Sequence, residues 1–282
     1  MKKLIYGIII LFFNCLVYGQ SNVCSTTLDT ALIKVKYERL VVLDTLKPAD
    51  RTRKDYITLQ AGTKAAVFYS EERRLEDSIM CANKDYALET FRDNNRIERL
   101  SNLEKDVVVR RHDLNQTWVH QRFDLTNWII YENLEKPVWS MTDETDCILG
   151  FQCYQAHTFF RGREWIAFFT TDIPIPEGPW KLYGLPGLIL KAYDSKRHYI
   201  YEAKGIDTKS PGLVEYINNY DRLVIKDRVK GLQMRKKSMS KDIGEMIRAA
   251  YSIQLKDSPQ KNEMVTKQYD FEETDYPHNK TK

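Results

Sequence analysis

Residues 173–194 read IPIPEGPWKLYGLPGLILKAYD, and the rest of the chain is best read outward from them. Pro186 fixes φ near −65°, and Gly187 can adopt a positive φ that other residues avoid. Leu185-Pro186-Gly187-Leu188 is therefore predicted to form a type II turn, with Gly184, Pro186 and Gly187 as its structural residues. Leu188, Ile189 and Leu190 then begin a strand that continues through Tyr193. Gly178-Pro179 marks a second turn upstream, and Trp180, Leu182 and Tyr183 lie between the two. Such a double turn is either a structural corner or the rim of a ligand cleft. Its glycines and prolines set backbone geometry rather than chemistry, which favours the corner.

Strand signals surround this run. Residues 31–43 alternate apolar and polar side chains, as a half-buried strand does. Tyr56–Leu59, Ala65–Tyr69, Val107–Arg111, Trp118–Phe123, Asn127–Glu132, Val138–Met141, Phe151–Phe160, Trp165–Thr170 and Tyr199–Lys204 read as further strands. Turn signals at Asn115-Gln116 and Arg161-Gly162-Arg163-Glu164 separate some of them, with no helix between, which argues for antiparallel meanders rather than βαβ units. Residues 71–104 are charged and poor in β-branched side chains, and read as a helical insertion.

The predicted class is α+β and predominantly antiparallel β: a strongly curved sheet, half-barrel or bowl, with a few inserted and C-terminal helices. The expected organisation is a signal peptide over 1–19 and a curved β domain over 20–220. A basic helical segment over 221–255, packed on or beside the sheet, and a polar tail over 256–282 complete it.

The segment from Asp146 to Asp194, with Phe160-Arg161-Gly162-Arg163, Ile173-Pro174 and Gly184-Leu185-Pro186-Gly187-Leu188-Ile189, resembles the central block of the GLPGLI family, secreted proteins of Bacteroidetes. The flanks resemble it more loosely, from about Lys34 to Ile206. Cys147, Gln155 and Phe168 depart from the family pattern. The resemblance implies a fold and a compartment; the family has no established activity, so it implies no mechanism.

Lys2-Lys3, the apolar run Leu4–Leu16 and Val17-Tyr18-Gly19 have the layout of a leader cleaved before Gln20. The apolar run is short for a membrane span, and no other segment is long and apolar enough for one. The expected location is periplasmic or extracellular. Loss of Lys2 and Lys3 takes the formal charge from +4 to +2, a balance that argues against nucleic acid as a partner. Four cysteines remain, Cys24, Cys81, Cys147 and Cys153. An oxidising compartment favours disulfides, and Cys147–Cys153 with Cys24–Cys81 is the expected pairing, the first across a hairpin centred on Gly150.

No constellation for catalysis stands out. The five histidines lack metal-ligand spacing; His112 and His120 are the best pair, across a hairpin turn, but no third ligand is evident. Asp143, Glu144 and Asp146 cluster in a turn-like segment where acids are usually solvated, and Asp172 stands apart. There is no nucleophile elbow and no phosphate loop. No catalytic residue, metal or cofactor is predicted.

The aromatic content is the better clue, since aromatic-lined sheets hold ligands, although aromatics also fill cores. Trp165, Trp180, Tyr183, Arg161 and Arg163 are the candidate ligand-binding residues, the two arginines at an exposed hairpin tip. The leading expectation is a non-enzymatic binding or envelope-interaction module for a hydrophobic or peptide-like ligand or an envelope protein. The alternatives are a hydrolase or its accessory domain acting on glycans or peptides, and a purely structural docking module.

Overall fold

The computed structural model describes residues 25–45, 52–82, 106–123, 126–217, 222–239 and 271–276. The first half of the sheet comes from β1 (Ser25–Thr30), β2 (Ile33–Val42), β3 (Thr52–Ala61), β4 (Ala65–Tyr69), β5 (Val107–Arg111), β6 (Gln116–Phe123) and β7 (Thr126–Asn133). The second half comes from β8 (Ser140–Ile148), β9 (Phe151–Phe160), β10 (Arg163–Thr170), β11 (Leu188–Asp194), β12 (Tyr199–Asp207), β13 (Leu213–Ile217) and β14 (Leu223–Ile225). Helix α1 (Glu71–Ala82) follows β4, and α2 (Arg228–Met239) follows β14.

The fold is predominantly antiparallel. Twelve strands form one sheet in the order β14-β7-β6-β5-β4-β3-β2-β12-β11-β10-β9-β8, and β1 and β13 form a separate two-stranded ribbon. Among the described strands, only β14 runs parallel to its neighbour, β7. The sheet is open, with β14 and β8 at its edges, and does not close into a barrel.

Alternation decides which side chains meet. In β2, Ile33, Val35, Tyr37 and Val41 point one way and are buried, with partly exposed residues between them. They join Ile57, Leu59, Phe68, Trp165, Leu190 and Tyr201 in the main core. Tyr37, Phe68 and Tyr201 meet edge to face there, with centroids 6.4 and 5.9 Å apart. The opposite face of β4 and β5 presents Val67, Tyr69 and Val109 to Val214 of the β1–β13 ribbon. A third cluster, Val119, Phe123, Ile130 and Ile225, receives Met234 of α2. Both described helices start on a capping side chain: Ser70 Oγ accepts from Arg73 N, and Asp227 Oδ1 accepts from Lys230 N.

The run between β10 and β11 lies on the main core. Trp180, Leu182 and Leu185 are buried in it, and Leu188 begins β11 as the sequence suggests. The predicted type II turn does not form. Gly187 lacks a positive φ; the left-handed glycine is Gly184, at +90°. Gly187 is needed for a different reason, since a Cβ there would lie 1.9 Å from the carbonyl oxygen of Thr170.

Other expectations change for local reasons. The acidic cluster lies within edge strand β8, which continues from Ser140 to Ile148 across an irregularity between Met141 and Thr145. The β8–β9 turn is Leu149-Gly150, with φ of 53° and 82°, so its centre falls between these two residues and not on Gly150. Cys153 is consequently opposite Asp146, and Cys147 opposite Gln152. The two thiols are free, Cys147 exposed and Cys153 buried, and do not form the expected disulfide. Cys24 and the Cys81 side chain lie outside the described residues, as does the leader. Of the polar tail, residues 271–276 are described, and Glu273 and Tyr276 are buried.

Replacing Gly187 by Ala is expected to cost about 3 kcal/mol, because the backbone of Thr170 must move. The same change at Gly205, whose Cβ position is open, should stay within about 0.5 kcal/mol. Urea denaturation of both variants checks this; equal losses would contradict it.

Candidate ligand groove and its buried ion network

Two charge clusters hold the residue 171–187 segment against the sheet. In the first, Arg110 of β5 is 1% exposed and Glu177 is 3% exposed, so neither can be solvated. Arg110 Nη2 donates to Glu177 Oε2 at 2.5 Å and to the Gly178 carbonyl at 3.0 Å, and Nη1 donates to the Trp180 carbonyl. The other Glu177 oxygen accepts from His112 Nε2 at 2.5 Å. Burial pushes the Glu177 carboxyl up, but the Arg110 charge and the His112 hydrogen bond outweigh it and hold it below 4.5.

The second cluster is larger. Lys181 Nζ donates to both Glu132 oxygens at 2.8 Å and to Glu273 Oε1 at 2.5 Å. Arg161 lies 3.3 Å from Glu132 and 3.1 Å from Glu135. Arg228 donates to Glu273 at 2.6 Å and to both Asp275 oxygens at 2.8 Å. Burial pushes Glu273 up, yet Lys181, Arg161 and Arg228 together bring it down to about 2. Burial raises Glu132, and the Glu273 charge adds to the effect. Arg163 forms a neighbouring clamp, donating to Asp194 at 2.9 Å and to the Phe271 and Glu272 carbonyls.

An open groove of about 820 Å³ borders the second cluster. It is lined by Trp118 and Tyr131, by Gln116, Asn133 and Glu135, and by Arg161, Lys226, Asp227 and Arg228. The two rings meet edge to face at 5.7 Å, and Arg111 lies over the indole at 4.9 Å. Flat apolar faces next to amides and both signs of charge suit a polar ligand with apolar patches better than a lipid tail.

The sequence-derived candidates fall in different places. Arg161 does line the groove, but neither it nor Arg163 is an exposed tip residue; both are buried in ion pairs. Trp165 and Trp180 are core residues, 5.4 Å apart between ring centroids, and Tyr183 is buried beside His112. None of these three rings lines the groove. His112 and His120 do not face each other, because the turn spans 112–115 and His120 pairs with Val107. Among the described residues no group of three His, Cys, Asp or Glu could hold a metal ion. Asp146 pairs with Lys191 at 3.4 Å, and Asp172 is exposed away from the groove. Trp118 was legible as a strand aromatic, but nothing in the sequence pairs it with Tyr131. That pairing comes from the β6–β7 register.

Residues 161–191 match a protein family described as of unknown function (Porph_ging). No curated protein matches. Two solved structures of PNGF-II, in the P21 and C2 space groups, are similar at 14% and 17% identity, each with a TM-score of 0.48. Each comparison covers 75% of this chain and 34% of the solved one, so the chain spans about a third of their length. No helix among the described residues is long and apolar enough to cross a membrane.

The first cluster has a defined pH signature. A carboxylate held below its unfolded value of 4.5 contributes stability that is complete above that pH and is lost as the pH falls through the folded value. Glu177→Gln should cost about 3 kcal/mol at pH 7. The gap to wild type should narrow below pH 4.5. Denaturant titrations at several pH values check it; a gap independent of pH would contradict the assignment.

Proposed function

We propose that this chain is a non-enzymatic binding module that receives a polar, peptide-like or glycan ligand in the groove beside Trp118 and Tyr131. The observation that carries the reading is the groove itself. It has the volume of a ligand site, a partly exposed aromatic pair, and hydrogen-bonding side chains around that pair. Its polarity narrows the sequence expectation from a hydrophobic or peptide-like ligand to a polar one.

The hydrolase reading draws on Glu132, a groove-lining carboxyl pushed up by burial. Both Glu132 oxygens already accept from Lys181, which suits a fixed structural ion better than a proton carrier. We further propose that the chain is a GLPGLI-type protein of Bacteroidetes, exported by its leader to the periplasm or cell surface. The Gly184–Ile189 run and the family match over residues 161–191 support this. A sheet bent into a bowl also belongs to the proposal. Its support is that Glu132 of β7 reaches Arg161, beside β9, although many strands separate them in the sheet order.

Calorimetric titration against panels of soluble peptides and oligosaccharides tests the site. At least one class is expected to bind, and Trp118→Ala to weaken it about tenfold or more while circular dichroism stays unchanged. Binding that ignores Trp118→Ala, or none to either panel, would contradict the proposal.

A further inference from the structure

A second cavity lies on the face of β4–β7 that the β1–β13 ribbon covers only in part. It measures about 50 Å³ and is bounded by β4–β7, the first turns of α1 and the end of β13. Four arginines line it, Arg73, Arg74, Arg122 and Arg222, against two carboxylates, Asp77 and Glu215. Arg73 donates to Asp77 at 2.8 Å, and Arg74 to Glu215 at 2.9 Å. Arg222 donates to the Ile217 carbonyl and lies over the Tyr216 ring at 5.2 Å.

His120 is the unusual member of the lining. It is 7% exposed, its ring sits 4.9 Å from that of Tyr216, and neither ring nitrogen has a hydrogen-bond partner. A neutral imidazole carries one donor and one acceptor, and leaving both unmade in a buried place is costly. Native structures rarely keep such a group without something to satisfy it. Burial, with the Arg222 charge, holds the ring well below its usual value, so it is neutral and offers one N–H.

A cation is a poor fit among four guanidinium groups. About 50 Å³ is room for a group of a few heavy atoms rather than for a sugar ring. Ser70 places the N-terminus of α1 in the same lining, and the helix dipole adds positive potential there.

We propose that this cavity is a binding site for one small oxyanion, a phosphate, sulfate or carboxylate group, which accepts from the His120 ring N–H and from Arg222. Guanidinium donors form short, charge-assisted bonds to such oxygens. The site is separate from the groove, and its test is independent of the ligand proposed there.

The experiment uses the full chain labelled with ¹⁵N-histidine, whose five imidazoles are resolved by NMR and assigned with His120→Gln. Sodium phosphate, sodium sulfate and sodium acetate are titrated separately at constant ionic strength against sodium chloride. The phosphate and sulfate arms separate a tetrahedral anion from the carboxylate that acetate reports. At least one anion is expected to move the His120 ring resonances saturably. Arg222→Gln should weaken that response about tenfold or more, and a change at the exposed Lys236 of α2, Lys236→Gln, should leave it unchanged. The wild-type titration stands even if the Arg222 variant fails to fold. No saturable shift at His120 beyond that of chloride would overturn the proposal. So would a shift that survives Arg222→Gln in a folded variant.

Discussion

The ion pair between Arg110 and Glu177 is the constraint on which the rest of this structure depends. Both partners are almost fully buried, and a buried charge without a partner costs several kcal/mol. The residue 171–187 segment can therefore dock only where Glu177 meets Arg110. Docking there aims three further groups. The Trp180 and Gly178 carbonyls accept from the same guanidinium, and the Glu177 carbonyl accepts from Ile189 N at 2.9 Å. The register of β10 against β11 shifts beside Ile189, and the Tyr37 hydroxyl donates to the Ile189 carbonyl at 2.6 Å. Polar backbone groups that the ladder leaves over are thus satisfied by residues from β2 and from the docked segment.

Lys181 carries the consequence to the groove. With Trp180 buried against Trp165, its neighbour Lys181 reaches Glu132 and Glu273. Glu273 and Asp275 hold Arg228 at the start of α2, and Arg161 holds Glu135 at the groove margin. Arg161 and Arg228 in the groove wall are therefore fixed by the buried ions Glu132, Lys181 and Glu273, and the partly exposed aromatic pair is left free of those ties. A rigid charged wall beside partly exposed rings lets a ligand bind without first ordering the protein, which lowers the cost of binding.

What the sequence disclosed depended on the range of the forces involved. Ala65–Tyr69, Val107–Arg111 and Phe151–Phe160 were legible to the residue, because local propensity and neighbouring turns bound them. The ribbon strands β1 and β13 and the short β14 were not, since they are brief, polar or flanked by charges. Gly187 was legible as special, but the cause, the Thr170 carbonyl, is a tertiary contact. Arg161 and Arg163 read as solvated because their partners are remote: Glu132 lies 29 residues away and Phe271 lies 108. No spacing rule links such positions. The groove was hidden for the same reason, because it exists only once β6, β7, the β9–β10 turn and the start of α2 have met.

The dependence of the fold on this pair is measured by a double-mutant cycle on Arg110→Met and Glu177→Gln, followed by denaturant unfolding at pH 7. Each single change should be severe and the double change should cost clearly less than their sum, with a coupling of about 2 kcal/mol or more. Costs that add to within about 0.5 kcal/mol would mean that the two residues do not act as a pair, and would contradict that dependence.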